Sequence, residues 1–121
     1  MKMSAVQKTQ NSELMFEAYS AACDWFGLTK KEQAKILGVG RNTLHRNKSG
    51  FAEMTKEFEI QVMFVLVYRS LYLLLGGNQQ AMQEWFDDHN IHLGAIPRDL
   101  CMQIKGIVHL NDYLDAMRGK A

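Results

Sequence analysis

The run from Phe58 to Leu75, Phe-Glu-Ile-Gln-Val-Met-Phe-Val-Leu-Val-Tyr-Arg-Ser-Leu-Tyr-Leu-Leu-Leu, limits what this chain can become more than any other stretch. Long apolar runs are buried strands or buried helices, and this one is too long for a strand. As a helix it spans roughly 28 Å. Thr55 is placed to cap it, with Lys56 and Glu57 in the first turn, and Gly76-Gly77 ends it. Ile60, Val62, Met63, Phe64, Val65, Leu66 and Val67 point in all directions, so packing is expected on most sides, a subunit interface included. A membrane span is not expected. Glu59, Gln61, Arg69 and Ser70 interrupt the run and leave no uncharged window of about 18 residues.

At 121 residues the chain suits one domain, or two small lobes sharing a core. It carries one proline, Pro97, and no alternating Val/Ile/Thr segments, which predicts an all-α fold. Cys23 and Cys101 stand alone, without disulfide or zinc spacing, and are expected to be reduced and buried in a cytoplasmic protein. Met1 to Asn11 is polar, lacks the apolar core of a signal peptide and is expected to be frayed.

Net charge is +1, but the charges are unevenly placed. From Thr29 to Lys48 six basic residues (Lys30, Lys31, Lys35, Arg41, Arg46, Lys48) face one acid, Glu32. From Gln79 to Met117 six acids (Glu84, Asp87, Asp88, Asp99, Asp112, Asp115) face Arg98 and Lys105. A basic front and an acidic back suggest a nucleic-acid face and a separate partner face.

Along the chain, Asn11 or Ser12 can cap a first helix to about Phe26, with Leu14, Met15, Ala18, Tyr19, Ala22, Trp25 and Phe26 spaced for burial. Thr29-Lys30-Lys31-Glu32 is a capping box. The short helix after it ends at Gly38, Val39 plugs the turn, and a second short helix runs Arg41 to Lys48. Small Ala34, turn-making Gly38, apolar Val39 and anchoring Leu44 form the helix-turn-helix signature. The second helix presents Arg41, Asn42, Thr43, His45 and Arg46 outward; arginine suits guanine and phosphate, asparagine suits adenine. Thr29 and Lys48 complete the expected DNA-binding set. Gln33 and Asn47 stand where such units usually place apolar residues, and Gly40 replaces the usual Ser or Thr cap.

After the central run, Asn78 caps a helix Gln79–Asp88 carrying Trp85 and Phe86, which suit either a partner hot spot or the core. Pro97 opens a helix to Lys105 that buries Leu100, Cys101 and Ile104 and stops at Gly106. A last helix, Ile107–Arg118, buries Ile107 or Val108, Leu110, Leu114 and Met117. His89 and His92 lack the further ligands of a metal site, and no cofactor is expected. No nucleophile, acid pair or phosphate-cradling loop stands out, so an enzyme is not expected.

The back half resembles the toxin-binding domain of Xre/ParS/MbcA-type antitoxins, which pair with RES-class toxins. The residues that carry the likeness are Leu71, Leu74-Leu75-Gly76-Gly77-Asn78, Trp85-Phe86, Asn90 and Leu93-Gly94-Ala95-Ile96-Pro97-Arg98-Asp99-Leu100. They continue through Gly106, Val108, Leu110, Tyr113-Leu114 and Arg118-Gly119. Leu37-Gly38-Val39 and Arg41 to Arg46 are similar to the family's Xre-like DNA-binding part.

This resemblance implies a non-enzymatic antitoxin that blocks a RES-type toxin acting on NAD or transferring ADP-ribose. It also implies repression of the protein's own operon as a dimer, and larger hetero-oligomers with the toxin. The family's toxin contacts fall here on Asp112, Tyr113, Arg118, Gly119 and Lys120. The expected organisation is a flexible stretch 1–11, a helix-turn-helix domain 12–54, and the central helix with the toxin-binding domain over 55–121. The alternative is a stand-alone helix-turn-helix repressor without a toxin.

Overall fold

The computed structural model describes residues 4–119, and these hold seven helices. They are α1 (Ala5–Trp25), α2 (Lys30–Leu37), α3 (Arg41–Arg46), α4 (Lys56–Leu74), α5 (Gln79–Asp87), α6 (Pro97–Leu100) and α7 (Ile104–Met117). Among the described residues the only β pairing is an isolated bridge between Asn90 and Ala95. The fold is all-α, as its single proline and lack of alternation predict.

The central helix α4 packs against α1 on one side and α7 on another. Thr55 caps it as expected, its hydroxyl accepting the Phe58 N–H. Its burial is one-sided rather than complete. Ile60, Gln61, Phe64, Val67, Ser70 and Leu71 are buried, whereas Leu66, Tyr72, Leu73 and Leu74 are exposed. Beyond its contacts with α1, α2 and α7, the open side of α4 mixes these apolar residues with exposed Glu59 and Arg69.

Aromatic rings join the core across the helices. Phe26 at the end of α1 stacks on Phe86 of α5 at 4.3 Å, and both meet Phe64 of α4 edge-on. Tyr19 also packs edge-on against Phe64, and Trp25 against Tyr68. Phe86 is fully buried and Trp85 half-buried, in line with a packed helix. Such offset and edge-on pairs add to their area burial.

Several local expectations are corrected. Helix α1 begins at Ala5, not Asn11 or Ser12, because Ser4 and Gln7 form a reciprocal capping box. The stretch from Ala5 to Asn11 is therefore helical rather than frayed; Met1–Met3 lie outside the described residues. On α1, Leu14 and Ala18 are exposed, while Tyr19, Ala22, Cys23 and Phe26 enter the core.

The C-terminal helices divide elsewhere than expected. Helix α6 lasts only four residues, and Gly106 lies inside α7 instead of ending its predecessor. Gly106 is buried, and a side chain there would run into the Leu100 carbonyl, so this glycine serves close packing. Ile104, Val108 and Met117 are exposed, whereas Ile107, Leu110 and Leu114 form the inner face of α7.

Candidate nucleic-acid interface and partner face

Helices α2 and α3 form the helix-turn-helix. Thr29 Oγ1 accepts the Glu32 N–H at 3.1 Å, and Glu32 Oε1 accepts the Thr29 N–H at 2.9 Å. Gly38 takes the left-handed conformation that ends α2, with φ of 73°. Ala34, Ile36, Leu37 and Leu44 are buried beneath the turn. Leu44 thus fixes which side of α3 faces outward.

The three departures from the usual pattern each have a structural account. Gln33 is buried, yet its amide donates to Leu28 O at 3.0 Å and Asp24 Oδ1 at 3.1 Å. Its backbone carbonyl accepts the Tyr19 hydroxyl at 2.7 Å. A polar residue in this apolar position therefore pins α2 to α1 with its hydrogen bonds made. Asn47 closes α3 by donating to Thr43 O at 2.6 Å. Gly40 has no side chain to cap α3, and the helix runs for only six residues.

Arg41, Asn42, Leu44, His45 and Lys48 line a cleft of about 490 Å³ together with Lys30 and Gln33 of α2 and Phe16 and Ser20 of α1. Arg41 and His45 are one turn apart and share one flank of α3, and Lys48 follows just beyond the end of the helix. Thr43 and Arg46 do not line the cleft. Asn42 and Arg46 are one turn apart on α3, and both are exposed. Thr29 stands exposed at the α2 cap beside Lys30.

Lys30 and Ser20 were not among the expected site residues. The position of Lys30, one residue after a helix cap, could have singled it out; nothing local marks Ser20.

Helix α7 and the residues after it carry the side chains expected to meet a protein partner. Asp112 is exposed, and Tyr113 is half-buried with His92 stacked on its ring at 6.4 Å. Arg118 folds back onto α4, its Nη1 donating to Ser70 Oγ at 2.8 Å, with Asp115 at 3.9 Å. Asn111 donates to Met63 O at 3.0 Å and ties α7 to α4. A shallow groove of about 410 Å³ runs between these helices, floored by Met63, Leu66 and Val108 and edged by Asp112 and Asp115. Gly119 is the last described residue, in a left-handed conformation with φ of 77°, and Lys120 lies outside the described residues.

The helix-turn-helix and the C-terminal helices are joined at Arg98, at the start of α6. Its Nε donates to Asp87 Oδ1 at 2.7 Å, its Nη1 to Glu32 Oε2 at 2.8 Å and its Nη2 to Phe26 O at 3.2 Å. The guanidinium lies over the Phe86 ring, 5.7 Å from its centroid. Burial alone would raise the Glu32 carboxyl, but the Thr29 N–H and the Arg98 guanidinium outweigh it and hold Glu32 below its ordinary value. Burial opposes the charge on Arg98 as well, and its bonds to Asp87 and Glu32 prevail.

A helix-turn-helix with a partly basic cleft, joined through Arg98 and the shared aromatic core to a second set of helices, defines a two-part all-α binding protein. Residues 6–55 match the antitoxin Xre-like helix-turn-helix domain, and residues 70–120 match the antitoxin Xre/MbcA/ParS C-terminal toxin-binding domain. Together these matches span most of the chain, which belongs to the Xre/MbcA/ParS-type antitoxins and is an antitoxin of a toxin–antitoxin pair. No match was found among curated proteins. No helix among the described residues is long and apolar enough to cross a membrane.

Proposed function

We propose that this antitoxin blocks a RES-type toxin with its C-terminal half and represses its own operon, as a cytoplasmic homodimer, with its helix-turn-helix. The observation that carries the DNA half is the cleft where Lys30, Arg41 and Lys48 converge beside Asn42 and His45. Cations gathered along a groove neutralise phosphates and release counterions, while Asn42 and Arg46 are suited to base edges. The matched C-terminal domain supports the toxin half, with Asp112, Tyr113, Arg118, Gly119 and Lys120 as the proposed contacts. Exposed Leu66, Leu73 and Val108 leave apolar area on α4 and α7 for protein partners.

The DNA half is tested by titrating a labelled duplex, taken from immediately upstream of the protein's own coding sequence, at a series of salt concentrations. Arg41→Ala with Arg46→Ala should weaken binding, and loss of the Arg41 phosphate contact should reduce the salt slope by about one unit. An unchanged slope and affinity in the double variant would remove α3 from the interface.

A further inference from the structure

Helix-turn-helix units dock on DNA through side chains whose helices are held in a fixed relation, and phosphate contacts set that register. In this chain the start of α2 is not held by its own lobe alone. The Glu32 carboxylate has two oxygens with two tasks: Oε1 accepts the Thr29 N–H and closes the cap, while Oε2 accepts from Arg98. Arg98 lies 66 residues further along, in the matched toxin-binding domain. The same guanidinium holds the carbonyl of Phe26, the residue that ends α1. One side chain of the back lobe thus grips the end of α1 and the beginning of α2, on either side of the short turn at Gly27 and Leu28.

The grip is well suited to transmit position. Arg98 is mostly buried, with its side chain 21% exposed, and is pressed over the Phe86 ring. Its planar fork is filled on three sides by Asp87, Glu32 and Phe26. A planar guanidinium that makes separate bonds through Nε, Nη1 and Nη2 fixes direction as well as distance, which a lysine ammonium cannot do. Next to this anchored cap stand exposed Thr29 and then Lys30, which lines the cleft with Arg41, His45 and Lys48.

We propose that Arg98 is a positioning residue for DNA binding: by holding Glu32, it sets the α2 cap so that Lys30 and the α3 cations engage one DNA backbone together. Operator affinity then depends on a residue of the toxin-binding half, and displacement of α6 or of the α5 end carrying Asp87 is felt at the DNA face. This rests on the DNA-binding function proposed above.

The test compares the wild-type chain with Arg98→Gln, Arg98→Lys and Val67→Ala, using the labelled upstream duplex over a salt series and thermal unfolding alongside. Val67 is fully buried on α4, away from the cleft, and its truncation controls for simple loss of stability. Arg98→Gln should bind on the order of ten-fold more weakly in its folded state, with a salt slope lower by about one contact. Arg98→Lys should recover little of this, and Val67→Ala should unfold earlier yet bind as the wild type does. The amide of Glu32, which donates to Thr29, should lose protection from hydrogen exchange in Arg98→Gln but not in Val67→Ala.

Wild-type affinity and slope in folded Arg98→Gln, with binding by the wild-type chain intact, overturn this proposal and leave the DNA-binding function standing. Equal weakening by Val67→Ala overturns it too, since stability alone would then account for the loss. No binding by the wild-type chain refutes the DNA-binding function and this proposal with it.

Discussion

Glu32 and Arg98 meet through a 2.8 Å hydrogen bond that joins the two halves of the antitoxin, while the other Glu32 oxygen closes the cap of α2. A single carboxylate therefore serves local helix geometry and the packing of the lobes. Its charged form is favoured in the folded state, so its contribution is fully present at neutral pH. As pH falls through the ordinary glutamate range toward the lower folded value, that contribution is lost. Acid unfolding followed by circular dichroism should show it, and Glu32→Gln should be less stable at neutral pH with a flatter acid limb. An identical acid limb in the variant would contradict the linkage.

Gln61 offers the opposite case. It is fully buried on α4, and neither its amide nitrogen nor its carbonyl oxygen has a hydrogen-bond partner among the described residues. An unsatisfied buried amide costs about 1–3 kcal/mol, so Gln61→Met should raise stability by an amount of that order. Denaturant unfolding checks this; a lower midpoint in the variant would show that the amide contributes more than it costs.

Gly106 should tolerate no side chain. Alanine is the better helix former by about 1 kcal/mol, which favours substitution inside α7. Against that, its methyl would be driven into the Leu100 carbonyl, which is backbone and has little room to yield. Steric overpacking of this kind costs about 1–3 kcal/mol, so Gly106→Ala should destabilise by at least part of that range. Thermal unfolding of the variant measures the balance, and an unchanged or higher midpoint would mean that α6 moves aside freely.

Cys23 and Cys101 are both free and fully buried. Burial pushes the Cys101 thiol up to about 12 and the Cys23 thiol higher still, which leaves almost no thiolate at neutral pH. A thiol reagent should therefore react slowly with the native protein and with two equivalents once it is unfolded. Fast reaction of either cysteine in the native state would place it nearer solvent than the fold puts it.

The all-α class, the capped start of α4, the Thr29–Glu32 box and the Gly38 turn were legible because each rests on residues close in sequence. Gly106 misled for the same reason: a glycine reads locally as a helix stop, and only the approach of Leu100 reveals its other use. Gln33 looked foreign to the motif until Asp24 and Leu28 supplied its partners across the α1–α2 turn. Leu14 and Ala18 fit a helical spacing, but that spacing does not say which face meets α4. The role of Arg98 is not legible locally, since its partner Glu32 lies 66 residues away.

The central claim, a two-faced antitoxin with a RES-type toxin as its partner, is tested most directly by affinity capture of the tagged protein from its native cells. A toxin of that class, encoded beside it and retained in stoichiometric amount, is the predicted result, with weaker retention when residues 118–121 are deleted. Recovery of the antitoxin alone, still able to bind its upstream DNA, would contradict the toxin half.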